Sequence, residues 1–312
     1  MADQRAFLRL AAAVDEESRL LRAAGRSLGL DAELRKLWLE EIWASTLIAG
    51  STLSFEETAT VVERGIATGD HRLDVYVLVS DYAAAARFVS GAPPPGRRHI
   101  FLRLEEIVTL HALAARREPE AHPGAWRTTT ARPLPSGVVP PPAWLVGREL
   151  SAFVERIALG PDAAAQPLDW VAAAHQRFAR IHPFEKANGR VVRLLTNLLL
   201  ARLGLPSFAV RGRAAARYLA ALRLADSRDP WPLAAAFARA ILESLRRLVA
   251  AGEPNAELRS VAEFATGARR AALYKAAQRG RLRTVRRAGT LYTSGPWIAE
   301  YEASRGARRK PR

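Results

Sequence analysis

The stretch "IHPFEKANGRVVR", residues 181–193, decides how the chain is read. Its loop ends in Asn188-Gly189 and feeds an apolar helix, so several backbone N–H groups at the helix start lack an intrahelical partner. Together with the helix dipole they form a nest for an anion. Small residues at Ala187 and Gly189 let a phosphate come close to the backbone. Arg190 and Arg193 lie three apart, share one face of the first turn, and are spaced to bracket the same anion. His182, at the other lip of the loop, is placed to take a proton from an incoming hydroxyl. By spacing alone the same letters also describe a satisfied histidine, a helix start and two surface arginines.

Outward from this loop the pattern is helical. "NGRVVRLLTNLLLARLG" is apolar nearly all round, as a central buried helix is, and it stops at Gly204 with Pro206 beyond. Upstream, "PLDWVAAAHQRFARI" and "AWLVGRELSAFVERIAL" carry apolar residues at helical spacing, as do residues 5–45 and "LRLEEIVTLHALAARREP". In "STLSFEETATVVERG", Ser54 and Glu57 stand at capping-box distance. "DHRLDVYVLVSDYAAAARFVSG" ends in the breaker "GAPPPGRR", and two more helices are expected across 214–252. The exception is "GAWRTTTARPLPSGVVPPPAW", rich in proline and β-branched residues, which reads as an extended flap or short β-hairpin with a rigid exit.

No apolar run approaches the roughly 20 residues of a membrane span. Without cysteine, disulfides and thiolate metal sites are excluded, and a cytoplasmic location without membrane partners is the expectation. The formal charge is +16, and from Arg259 onward the cations face only Glu263, Glu300 and Glu302. A basic end beside a balanced body points to a polyanion, and so to double-stranded DNA and a nucleoid association.

Residues 182–193 resemble the signature of the Fic family, His-x-Phe-x-Asp/Glu-Gly-Asn-Gly-Arg-x-x-Arg, with His182, Phe184, Asn188, Gly189, Arg190 and Arg193 in register. "AAAHQRFARIHPF" resembles the helix entering that motif, with His175 read as structural. Gly124, Arg127 and Pro140–Pro142 resemble the family's target-clamping flap. The likeness spans roughly 40–250. It implies transfer of AMP from a nucleotide, usually ATP, to a Ser, Thr or Tyr hydroxyl of a target protein. In that scheme His182 is the general base and Asn188 holds the α-phosphate. The backbone of Ala187 and Gly189 holds the β-phosphate, Arg193 the γ-phosphate, and Arg190 supports the leaving pyrophosphate. Phe184 anchors the loop.

Two positions depart from the family. Lys186 stands where an Asp or Glu carries magnesium, and an ammonium cannot ligate a hard dication. No metal ligand is therefore assigned, magnesium is disfavoured, and Lys186 is expected to face phosphate itself. "STLIAG", 45–50, resembles the family's inhibitory segment, Ser/Thr-x-x-x-Glu-Gly/Asn, yet Ala49 replaces its Glu. The pocket should be unusually cationic and without its brake, a role that an antitoxin-like inhibitor would then take.

The end of the chain resembles an excisionase-like helix-turn-helix, with Gly280-Arg281-Leu282 leading from its second helix into a wing. A short helix capped by Ser260 and ending at Gly267 is expected first, then a helix over 268–279 and a hairpin about Ala288-Gly289. Arg269, Arg270 and Lys275 would lie nearest bases, with Arg279, Arg281, Arg283, Arg286 and Arg287 toward the DNA backbone. One such module specifies DNA weakly, so a homodimer on a palindrome is expected.

The fold expected is thus mostly α: a Fic-type helical body with a short β-hairpin flap, followed by a small winged helix-turn-helix. Boundaries fall at 1–115 (helical region), 116–251 (core, flap 124–142, motif 182–193), 252–257 (linker), 258–303 (winged module) and 304–312 (basic tail). Two functions follow: a protein nucleotidyltransferase with a DNA-binding module, or a DNA-binding regulator whose Fic body binds nucleotide without catalysis.

Overall fold

The computed structural model describes residues 2–24, 28–91, 101–161, 166–212, 214–227, 229–252, 258–287 and 289–307. In chain order the elements are α1 (Ala2–Ala24), α2 (Leu28–Ile48), α3 (Phe55–Arg64), α4 (Leu73–Ser90), α5 (Leu104–Ala114), α6 (Val146–Ala158), α7 (Pro167–Ile181), α8 (Asn188–Arg202), α9 (Ala214–Asp226) and α10 (Trp231–Gly252). They continue with β1 (Arg259–Ser260), α11 (Gly267–Gln278), β2 (Val285–Arg287), β3 (Thr290–Thr293) and α12 (Gly295–Ala307). They form two compact units, Lys36–Phe237 and Met1–Arg35 with Ala238–Arg312. No helix among the described residues is long and apolar enough to cross a membrane.

In Lys36–Phe237, α8 is the central rod and packs against α4, α5 and α7. Arg190 through Leu200 are all buried, which explains the all-round apolar sequence. Each fully buried leucine in this run contributes about 1.5–3 kcal/mol of transfer free energy. α7 buries Leu168, Val171, Ala172, His175, Phe178 and Ile181 along one stripe, so its last turn delivers the chain at a fixed place beside α8. His175 lies wholly in the core, with Nδ1 2.7 Å from the Thr196 hydroxyl and Nε2 2.9 Å from that of Tyr218. Burial, and then the charge of Arg193, holds it down to about 3, as befits a neutral structural histidine. Ser54 and Glu57 form a capping box on α3, and Gly65 closes that helix in the left-handed region, φ 68°.

The flap corrects one expectation. Among residues 124–142 there is no β-strand. A turn closes with Leu134 N–H donating to Val138 O at 2.8 Å, and the chain on either side forms no regular element. Prolines at 133, 135 and 140–142 remove the N–H groups that a ladder needs. Side chains hold the flap instead: Ser136 donates to Asp226 Oδ2 at 2.5 Å, and that carboxylate also accepts from Gln176 at 2.8 Å.

In the other unit a three-stranded antiparallel sheet has the order β1-β3-β2, with Arg259 opposite Thr293 and Arg286 opposite Leu291. Val261, Leu273, Ala276, Leu282, Leu291 and Ile298 form its core. β1 was not anticipated. The expected helix from Ser260 to Gly267 is one 3-10 turn, Val261–Glu263, although Ser260 and Glu263 do form its capping box. Six residues before a positive-φ glycine leave no room for an α-helix once that turn has formed. This unit extends beyond 258–303: Glu17 of α1 accepts from Arg246 of α10 at 3.3 Å and from Arg283 at 3.0 Å. Arg246 also donates to Gly280 O at 3.2 Å. Burial raises the Glu17 carboxyl more than the two arginines lower it. Residues 253–257 of the expected linker and 308–312 of the basic tail lie outside the described residues.

Candidate active site

Two left-handed residues shape the motif loop. His182 ends α7 at φ 48°, and Ala187 precedes α8 at φ 64°. Neither is glycine, so each bears a steric cost of about 1–2 kcal/mol that the surrounding packing sustains. Phe184, fully buried, pins the loop between them. Its ring stacks on His111 with centroids 3.7 Å apart and lies 5.2 Å from Trp126. His111 Nδ1 accepts from Gly124 N–H at 3.0 Å, and burial holds that histidine down to about 4. The floor is thus apolar and neutral.

Arg127 joins flap to loop. Its backbone N–H donates to Pro183 O at 2.9 Å, and its Nε to His182 O at 2.8 Å. Its amines reach Thr129 O at 2.9 Å and the Pro141 carbonyl. Glu185 adds a second tie: its carboxylate accepts from the Thr128 and Thr129 N–H groups at 3.0 and 3.2 Å and from the Thr129 hydroxyl at 2.7 Å. Those bonds keep Glu185 ionised and lower its pKa.

At the head of α8 the N-cap residue is Ala187, and no side chain caps the helix. The first N–H groups are open to an external acceptor. Arg193 is 3% exposed, and a Cβ built on Gly189 would lie 3.4 Å from its Nη1, so that amine faces the helix head. His182 is half-buried; burial is the largest cause lowering its pKa, with the Arg127 charge adding to it and a hydrogen bond to the Ala179 backbone opposing. Its imidazole is neutral near pH 7, the state a base needs.

Four expected phosphate contacts have other partners. Asn188 is reciprocally bonded to Phe184, accepting its N–H at 3.0 Å and donating to its carbonyl at 2.7 Å. Arg190 grips Glu118 at 2.5 and 2.8 Å and also donates to Ala114 O. Lys186 pairs with Glu120 at 2.9 Å, both half exposed. Arg193 donates from Nε to Ser45 Oγ at 2.9 Å and from Nη2 to Ser45 O at 2.8 Å. Glu118 and Glu120 were not singled out in the sequence; their partners lie some 70 residues away, and no local pattern links them. They also correct the expectation of an unusually cationic pocket, since two carboxylates return beside Arg190 and Lys186. Ala49 is exposed in the turn ending α2, and Ser45 of the same segment is the residue on Arg193.

Residues 101–200 match the family model described as Fic/DOC family. Those residues carry a Fic/DOC domain. Curated relatives of that domain include "Protein adenylyltransferase Fic" of Culex quinquefasciatus, 25% identical over 204 residues, covering 65% of this chain and 40% of that protein. "Protein adenylyltransferase fic-1" of Caenorhabditis briggsae is 26% identical over 225 residues, covering 72% of this chain and 44% of that protein. The chain spans less than half the length of these relatives. Among solved structures, a Fic domain containing signaling protein of Bacteroides thetaiotaomicron VPI-5482 superposes with TM-score 0.71 at 20% identity, over 78% of this chain and 97% of that one. Fic-1 of Caenorhabditis elegans gives 0.70 at 23% identity, over 80% and 73%. At such identities these two establish the fold alone. Within the Fic/DOC domain, the residues do not fit magnesium. A charged lysine at 186 has no lone pair to offer, and the Glu185 oxygens are held by the flap.

Proposed function

We propose that the chain is a protein nucleotidyltransferase of the AMPylase type, moving AMP from a nucleoside triphosphate to a hydroxyl of a target protein. The observation that carries this reading is the uncapped head of α8, flanked by the neutral His182 imidazole and by the Nη1 of Arg193. In the reaction His182 takes the proton of the target hydroxyl, whose oxygen forms the new bond to the α-phosphorus. The bond from that phosphorus to the bridging oxygen breaks, and pyrophosphate leaves. Backbone N–H groups and Arg193 stabilise the charge, and Lys186, released from its weak, exposed ion pair with Glu120, joins them. Labelled ATP, UTP, GTP and CTP supplied to cell extract test it. Labelling that requires His182 and survives EDTA is expected; its absence with every donor rejects the enzyme.

A second reading, a DNA-binding regulator with a silent Fic body, is favoured by one observation: Asn188, Lys186 and Arg190 all have internal partners. Both readings include DNA binding by the C-terminal unit. Arg270, Lys275, Arg279, Arg281 and Arg286 are exposed and have no carboxylate partner among the described residues, and Lys275, Arg279 and Arg281 line a cavity of about 220 Å³ with Tyr301. Arg269 instead pairs with Glu302 at 2.8 Å. Arg283 turns inward, bonded to Glu17 and lying 5.2 Å over the Trp297 ring, so it leaves the DNA-facing set. The Arg287 side chain lies outside the described residues. The target protein, a homodimer and an antitoxin-like inhibitor belong to this proposal as its partners.

A further inference from the structure

Arg193 is buried, yet it has no ion pair among the described residues. Its Nε and Nη2 end on the oxygens of Ser45. The Ser45 hydroxyl in turn donates to Glu41 Oε1 at 3.1 Å, and the Tyr82 hydroxyl donates to the same oxygen at 2.6 Å. Glu41 is 3% exposed and lies one turn before Ser45 on α2, while the exposed Ala49 lies one turn after it. A buried guanidinium and a buried carboxylate are therefore joined through one hydroxyl.

We propose that Glu41 is a positioning residue for Arg193, and that an anion taken by Arg193 at the head of α8 draws a proton onto Glu41. The inference rests on the reading of that helix head as a phosphate site. The groups facing Glu41 are Ser45 on its own helix, Tyr82 from α4, Arg193 from α8, and Arg211, whose Nε is paired with Glu40 at 2.7 Å. Burial holds Glu41 up to about 7 against the downward pull of these four. A phosphate on Nη1 competes for the field of Arg193 and so withdraws part of what keeps Glu41 ionised. The carboxylate then binds its proton more tightly. By linkage the coupling is reciprocal, and protonated Glu41 makes Arg193 a stronger anion site. Glu41 thereby acts as an indirect, pH-graded counter-charge one turn before the segment 45–50, whose own Ala49 carries none.

Calorimetry of ATP and AMP binding to the full chain tests this, at pH 6 to 8 in buffers of different ionisation heat. The wild type is compared with Glu41→Gln and Ser45→Ala, each checked for folding by thermal unfolding. Protons titrating on the nucleotide or on His182 are common to all three proteins and cancel. Expected is a proton uptake with ATP that exceeds that of Glu41→Gln. The ATP affinity gain from pH 8 to pH 6 should be about fivefold greater in the wild type. AMP, which has no terminal phosphates to reach Arg193, should show no such difference. Ser45→Ala, which removes one hydroxyl bond from the carboxylate and so raises Glu41 further, should move the excess uptake to higher pH, and it carries the comparison alone if Glu41→Gln does not fold. ATP binding with equal uptake in all proteins overturns the coupling and leaves the phosphate site standing. No binding of any nucleotide overturns both.

Discussion

Ala187 shows what one residue does here. It holds φ 64° where glycine would rest without strain. Ala187→Gly should be neutral to stabilising by about 1 kcal/mol in urea denaturation, the relieved steric cost being partly offset by the freer unfolded chain. His182 makes a prediction in pH. Its pKa is lowered from the ordinary 6.5, and transfer needs the neutral ring. Activity should therefore hold through pH 6.5 and fall only at lower pH, where the ring takes its proton; a rate profile with an acid limb above 6.5 would contradict the burial argument.

Among elements, the contacts of α2, α4 and α8 respond to pH through Glu41. Glu41 lies above its ordinary 4.5, so the folded state holds a proton there that the unfolded chain has released. That contribution to stability is complete below 4.5 and is lost as pH rises through about 7. Glu41→Gln should flatten the dependence of unfolding free energy on pH across that window. The short segment after α5 provides a second test. Glu118 is the carboxylate of the buried Arg190, and Glu118→Ala should cost about 3 kcal/mol in chemical denaturation because a buried guanidinium loses its partner. Glu120→Ala, at the exposed pair, should leave stability nearly unchanged.

For the molecule as a whole, the charge of the C-terminal unit is divided between inside and outside. Arg283 and Arg246 converge on Glu17 and belong to the interior, while Lys275, Arg279 and Arg281 remain outside. Substituting the outer three together with alanine should weaken binding to duplex DNA uniformly across sequences and reduce its salt slope by about 3, one unit per phosphate contact. Unchanged slope in a salt titration would remove DNA from the proposal.

Legibility followed the range of the interaction. The helices, the loop that precedes α8 and the Ser54 cap rest on spacings of one to four residues, and periodicity exposes them. The same holds for the motif His182 to Arg193, which marked the Fic/DOC domain. The partners of those motif residues were hidden, because Glu118, Glu120 and Ser45, with Glu41 and Tyr82 behind Ser45, come from far along the chain, Ser45 lying 148 residues before Arg193. So was the fate of the flap, where prolines denied a ladder and side chains replaced it. The sequence alone determined which chemical groups stand at the head of α8, since local backbone preference acts on neighbours. Only the tertiary structure decided which of those groups face a ligand and which face the protein, because a buried charge takes its partner from wherever packing brings one.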